Sequence, residues 1–229
     1  MTLQEMIYHR RSCRSFTGQP VDPEMIEKIL SFDLTPLYPG IKVRMDIVGR
    51  EKVKCICPWT TPQVLTVYSE EAEGDLENVG FLFQQMDLYL QTLGLGVCWL
   101  GMGRMNPKTA PEVDGMRFVI MLAFGHPKGD ALRHGLKEFR RKSPEKIADT
   151  PDPRLESARL APSAVNSQPW YFTHEGDTLH LYCSRKGSRL DAGIALAHLY
   201  LSHRETFRFF KTEHIKDLPG YGYIGSVTI

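Results

Sequence analysis

Apolar side chains at Leu76, Val79, Leu82, Phe83, Met86, Leu90 and Leu93 recur every three or four residues, which sets them on one helical face. Phe81 and Leu88 widen that face, so the pattern predicts a long, largely buried helix over 75–93, ending at Gly94 and Gly96. A short amphipathic helix is expected over 2–8. Asp22-Pro23, an N-cap with a first-turn proline, opens another over 22–30. Apolar runs at 45–48, 64–68, 118–124, 171–173 and 179–182 read as strands. A second long helix over 191–203 carries Ala192, Gly193, Ala195 and Ala197 near its start, small residues that let the two long helices approach closely. The class this predicts is α+β, a mixed sheet flanked by helices.

The elements also repeat. Helix, strand, strand and long helix at 22–30, 42–49, 63–68 and 75–93 return in the same order at 152–158, 170–174, 179–183 and 191–203. Two related halves are expected, 1–148 and a shorter 149–229.

Composition narrows the classes of function. At 229 residues, 42% of them hydrophobic, the chain can bury a substantial core. Its 28 Lys and Arg against 27 Asp and Glu leave a net charge of +1, which gives no general attraction to nucleic acid or membrane. No window approaches the roughly 20 apolar residues of a membrane span, and the first residues lack a signal-peptide pattern, so a cytoplasmic protein is expected. Five cysteines, an odd count, suit reduced thiols. Cys55-Ile56-Cys57 has no second pair or histidine nearby, a poor zinc arrangement, and no metal is expected. The histidines are dispersed and no nucleophile-elbow pattern occurs, which leaves hydrolase chemistry unsupported.

Two segments carry the chemistry. Arg10-Arg11-Ser12-Cys13-Arg14-Ser15-Phe16 puts three guanidiniums and a hydroxyl within five residues, enough to hold a phosphate and leave a cation to spare. Cys13 lies among cations that lower a thiol pKa, although a packing role is expected for it. Leu160-Ala161-Pro162-Ser163-Ala164-Val165-Asn166-Ser167-Gln168-Pro169-Trp170 places small residues, two prolines and a carboxamide where a helix gives way to extended chain. Backbone groups, Ser163 and Asn166 can there face a planar polar ligand such as the edge of an isoalloxazine ring.

Together with Leu93-Gly94-Leu95-Gly96-Val97-Cys98-Trp99-Leu100-Gly101 and Val119-Ile120-Met121-Leu122-Ala123-Phe124-Gly125-His126-Pro127, these segments resemble the FMN-dependent nitroreductase family. The order departs from the family's usual one. The slot after the Arg segment, Leu34-Thr35-Pro36-Leu37-Tyr38-Pro39-Gly40, has no Ser or Asn in place, and the good copy lies in the second half. The resemblance therefore points to the single-chain pseudodimeric branch, with one FMN per chain. It implies Arg10 and Ser12 on phosphate or ribityl with Arg11 beside them, and Arg14 as the cation that tunes the flavin. Backbone amides of Leu100, Gly101 and Met102 would face the ring's N5 and O4. Arg141 and Lys142 would close over the phosphate, and Pro162, Ser163, Ala164, Asn166 and Gln168 would complete the cofactor contacts.

The implied activity is an oxidoreductase in which NAD(P)H reduces FMN and the flavin reduces a small nitroaromatic, quinone or other conjugated acceptor by ping-pong. The alternatives are an FMN carrier or sensor with little turnover, or a specialised flavin dehydrogenase or dehalogenase. Tyr38, Trp59 and Phe207 are expected near the acceptor. A pseudodimer could function as a monomer, with further association left open, and neither nucleic acid nor membrane is expected as a partner.

Overall fold

Thr2 accepts a hydrogen bond from the Glu5 N–H (3.1 Å) while the Glu5 carboxylate takes the Thr2 N–H (2.8 Å), a reciprocal cap that starts helix α1 (Leu3–Met6). The helix is shorter than the expected 2–8. The His9 and Arg10 N–H groups both converge on the Met6 carbonyl (3.0 and 2.8 Å), so the chain turns just as the Arg segment begins. Helix α2 (Pro23–Leu30) begins at Asp22 with Pro23 in its first turn. The computed structural model describes residues 1–56, 61–108, 113, 115–213 and 215–229. Trp59 and Cys57, both named above, lie outside the described residues.

The chain divides into two units, Met1–Asp75 with Gln85–His134, and Leu76–Gln84 with Gly135–Ile229. The first is built on β1 (Val43–Gly49), β2 (Val53–Lys54), β3 (Gln63–Glu70), helix α3 (Asp75–Thr92), β4 (Gly96–Leu100), β5 (Arg104–Met105) and β6 (Met116–Gly125). Its four-stranded sheet has the order β1-β3-β6-β4, while β2 and β5 make a small ribbon. In β3 every residue from Val64 to Ser69 is buried, the continuous burial of a strand covered on both faces.

The second unit holds α4 (Glu156–Leu160), β7 (Trp170–Glu175), β8 (Thr178–Ser184), α5 (Arg189–Ser202), β9 (Arg208–Phe210) and β10 (Tyr221–Thr228), with sheet order β7-β8-β10-β9. All ladders in both sheets are antiparallel. Parallel neighbours among the described residues are isolated bridges at one edge of each sheet, Ser12 beside Val97 of β4 and Ala148 beside Phe172 of β7. The class is thus α+β, as the pattern implied. Strands β2, β4, β5, β9 and β10 lie outside the expected runs, and in β10 Gly222 and Gly225 interrupt any apolar alternation.

Helix α3 is buried along nearly its whole length, on its polar positions as well as its apolar band. Its 76–84 stretch belongs to the second unit and packs on α5 there. A Cβ on Gly80 would lie 2.1 Å from the Leu190 carbonyl oxygen, and one on Gly193 would lie 2.0 Å from that of Glu77. The two glycines therefore let the helix backbones touch, as the small residues of 191–203 suggested. Arg189 reaches back to the buried Glu77 carboxylate through its Nε (2.6 Å). Among the described residues no helix is long and apolar enough to cross a membrane.

Candidate functional site

The Arg segment is stitched to the first unit along its length. Cys13 N–H donates to the Val97 carbonyl (2.8 Å), Thr17 N–H to that of His126 (2.9 Å), and Lys128 N–H to that of Ser15 (2.9 Å). These bonds hold the segment between the edge of β4 and the chain leaving β6. Between them opens a cleft of about 430 Å³ lined by Arg11, Ser12, Cys13, Arg14, Ser15, Lys128, Asp130 and Ala131. Three cations stand against one carboxylate. Asp130 accepts from the Leu132 N–H (2.9 Å) and pairs with His134 Nε2 (2.5 Å), and these two bonds hold its carboxyl below its ordinary range.

Arg10 is placed apart from the other three residues of its cluster. Its guanidinium is 1% exposed and pairs at 3.2 Å with Asp87 of α3, itself fully buried. Arg11, Ser12 and Arg14 line the cleft and Arg10 lies behind it. Burial pushes the Cys13 thiol above its ordinary pKa, outweighing its bond to the Ser15 carbonyl (3.2 Å) and the Arg11 charge. Cys13 packs with Phe16, Cys98 and Val64, the packing role expected of it.

In the second unit α4 stops at Leu160, and the chain runs through buried Pro162 into a loop of unusual backbone. Val165, Asn166 and Gln168 have φ of 47°, 57° and 43°, left-handed values that side chains rarely adopt. The Ser163 hydroxyl accepts from the Gln168 N–H (2.8 Å), and both Asp191 oxygens accept from the Ala164 N–H (3.1 and 3.3 Å). Such strain persists only where its surroundings hold it, and it clusters at ligand sites. Val165, 99% exposed, stands at the tip.

Arg141 and Lys142 are part of what holds this loop. Arg141 donates from one terminal nitrogen to Asn166 Oδ1, and from Nε and the other terminal nitrogen to the Leu160 carbonyl (3.2 and 3.1 Å). Lys142 donates from its N–H to Gln168 Oε1 (2.6 Å) and from Nζ to the Gln168 carbonyl (2.8 Å), while Gln168 Nε2 donates to the Arg159 carbonyl (2.8 Å). Burial, with Lys146 adding to it, lowers the Lys142 pKa. Asn166 Nδ2 also donates to the Arg140 carbonyl (2.6 Å). Five residues singled out in sequence, Arg141, Lys142, Ser163, Asn166 and Gln168, thus form one hydrogen-bonded assembly within the unit, with Ala164 held beside it by Asp191.

Leu100 ends β4, and Gly101 and Met102 form an exposed turn closed by the Gly103 N–H on the Leu100 carbonyl (3.0 Å). That turn is not among the walls of the cleft. Tyr38 is half-buried against Gly74, and Phe207 packs with Phe81 and Tyr200 in an aromatic trio. Sequence reasoning missed Lys128, Asp130 and Asp191. No local signal marks the first two as partners of residues 11–15. Asp191 was visible only as a helix start, yet it is 3% exposed, and burial raises its pKa to about 6, opposed by the Ala164 N–H.

The fold is that of the nitroreductases. A family model described as "Putative TM nitroreductase" matches residues 2–203, and the chain belongs to that family. The crystal structure of a "putative nitroreductase" from Thermotoga maritima MSB8 is 22% identical with a TM-score of 0.70, covering 99% of this chain and 92% of that one. A nitroreductase family protein from Clostridium difficile 630 is 17% identical with a TM-score of 0.50, covering 64% of this chain and 97% of that one. Comparison with the curated proteins gives no match.

Proposed function

We propose that the chain is an FMN-dependent oxidoreductase that takes reducing equivalents from NAD(P)H and passes them to a small conjugated acceptor such as a nitroaromatic or a quinone. The observation that supports it best is the cleft of the first unit, in a chain whose family is that of the nitroreductases. The donor set fits a phosphate ester. Arg11, Arg14 and Lys128 supply positive charge, Ser12 and Ser15 supply hydroxyls, and Asp130 can accept from a sugar-like hydroxyl.

When bound, FMN supplies hydride chemistry that no side chain here can perform. The protein's share is binding and electrostatics. Arg11 and Ser12 hold the phosphate, and Arg14 contributes a fixed cation that favours an anionic ligand. In the second unit, Ser163, Ala164 and Asn166 belong to a strained loop whose polar groups are tied to Gln168, Asp191 and Arg141. A reducing cytoplasm suits the free cysteines this reading assumes.

Flavin stoichiometry tests the proposal. The purified chain, saturated with FMN, freed of excess and denatured, should release one FMN per chain. Arg14→Ala should weaken FMN binding about tenfold, close to the loss of one charge-assisted bond of about 1.4 kcal/mol. The loaded protein should oxidise NAD(P)H faster when a quinone or nitroaromatic is added. Absence of FMN binding would overturn the reading. FMN binding without acceptor-dependent turnover would mark a carrier instead.

A further inference from the structure

We propose that Asp87, in the interior of α3, is the positioning residue that sets the anion-holding segment, and this rests on the reading of the cleft as a phosphate site. Asp87 has no exposed surface and the Arg10 side chain only 1%. Burying an ion pair in this way is costly in desolvation and is a poor source of stability by itself, so its use calls for another account. The connections around it supply one.

Each oxygen of Asp87 is engaged. Oδ1 accepts from Gln91 Nε2 (2.6 Å), and Oδ2 takes the Trp99 indole N–H (3.3 Å) together with the Arg10 guanidinium (3.2 Å). Two of these partners carry the connection on into the segment. Gln91 Oε1 accepts the Arg11 backbone N–H (2.9 Å), and Arg10 reaches Ser12 Oγ at 3.4 Å. One carboxylate therefore fixes two successive residues, Arg10 by its side chain and Arg11 by its backbone, just before the chain joins the edge of β4 at Ser12 and Cys13. Arg11, Ser12 and Arg14 enter the cleft from that clamped stretch.

The same pairing sets the charge balance of the cleft. With Asp87 present, Arg10 is neutralised away from the cleft, whose lining includes Arg11, Arg14 and Lys128. Without Asp87 the buried guanidinium has lost its counter-charge and is driven outward, which displaces the backbone carrying Arg11 and Ser12. The effect should fall mainly on phosphate recognition, since the network ends on Arg11 and Ser12, the two residues assigned to the phosphate.

The test compares FMN with riboflavin, which lacks the phosphate, by fluorescence titration of the wild-type chain and of Asp87→Asn. In the wild type FMN should bind at least tenfold more tightly than riboflavin. Asp87→Asn should cut that ratio at least fivefold while riboflavin affinity changes less than twofold. An unchanged ratio in a folded Asp87→Asn protein would overturn the proposal.

If Asp87→Asn does not fold, Gln91→Met removes the Oδ1 partner and the acceptor for Arg11 N–H while keeping side-chain volume. It should lower the ratio about threefold, and an unchanged ratio would again overturn the idea. If the wild type binds no flavin, the oxidoreductase reading fails separately. NMR titration with inorganic phosphate then decides: shifts at Arg11 to Ser15 that Asp87→Asn abolishes support the positioning role, and their absence in the wild type, or their survival in the variant, refutes it.

Discussion

Asp191 shows how one residue can trade stability for a loop's shape. Its carboxylate is buried to receive the Ala164 N–H, and burial raises its pKa from the ordinary 3.8 to about 6. A carboxyl raised on folding binds its proton more tightly in the native chain than in the unfolded one, so stability falls as pH rises from about 4 to about 6 and levels above that. The shift of roughly two units corresponds to about 3 kcal/mol lost across that window. Asp191→Asn keeps an oxygen for the Ala164 N–H and cannot ionise. The gap in unfolding free energy between the variant and the wild type should therefore widen in the variant's favour from pH 4 to pH 7, by on the order of 2 kcal/mol, in urea titrations at each pH. A constant gap would show that the carboxylate is not desolvated. Residues of this kind were only half legible in sequence. Ser163, Asn166 and Gln168 were readable because a short motif carries them, whereas Asp191 and Asp130 act on that motif or the Arg segment through folding alone. Arg10 was readable as a cation, but its burial depends on Asp87, whose position on the inner side of α3 looks in sequence like one more polar interruption.

At the scale of elements, α3 and α5 were the clearest features in the sequence, since three- and four-residue spacing over 18 and 14 residues leaves little room for another conformation. The strands were readable where β-branched and aromatic residues cluster and lost where glycines break the pattern, as in β10. The contact between the two helices leaves no room for a side chain at residue 193. A Cβ at residue 193 would sit 2.0 Å from the Glu77 carbonyl oxygen, far inside contact distance, and both atoms belong to helix backbone that cannot yield like the end of a side chain. Gly193→Ala gains helix propensity worth up to about 1 kcal/mol, yet the clash must separate the helices and loosen the Arg189–Glu77 pair. The net result should be destabilisation of more than about 2 kcal/mol by chemical denaturation. A neutral or stabilising outcome would mean that the helices do not meet at this point.

At the scale of the whole molecule, α3 is shared. Residues 76–84 belong to the second unit, and Asp75 and 85–92 belong to the first, so the hydrogen-bond ladder of a single helix crosses from one unit to the other and back. Expected halves of 1–148 and 149–229 express a repeat in element order that the sequence displays openly, but residues 76–84 can be assigned only once packing is known. A fragment of residues 149–229 would lack the stretch carrying Gly80, against which α5 packs, and should not fold by itself. In the intact chain, opening the second unit removes the packing of the N-terminal half of α3 and costs the helix its continuity, which its remaining turns in the first unit depend on. The two units should therefore open together. Hydrogen exchange resolves this directly: amides in the central strand β3 of the first unit and in β8 of the second should exchange with opening free energies within about 1 kcal/mol of each other, as in a single cooperative transition. Gly193→Ala, although it lies in the second unit, should lower protection in both strands by the same amount. If protection falls in β8 alone while β3 keeps its wild-type value, the shared helix does not couple the units, and each folds as an independent body joined by α3.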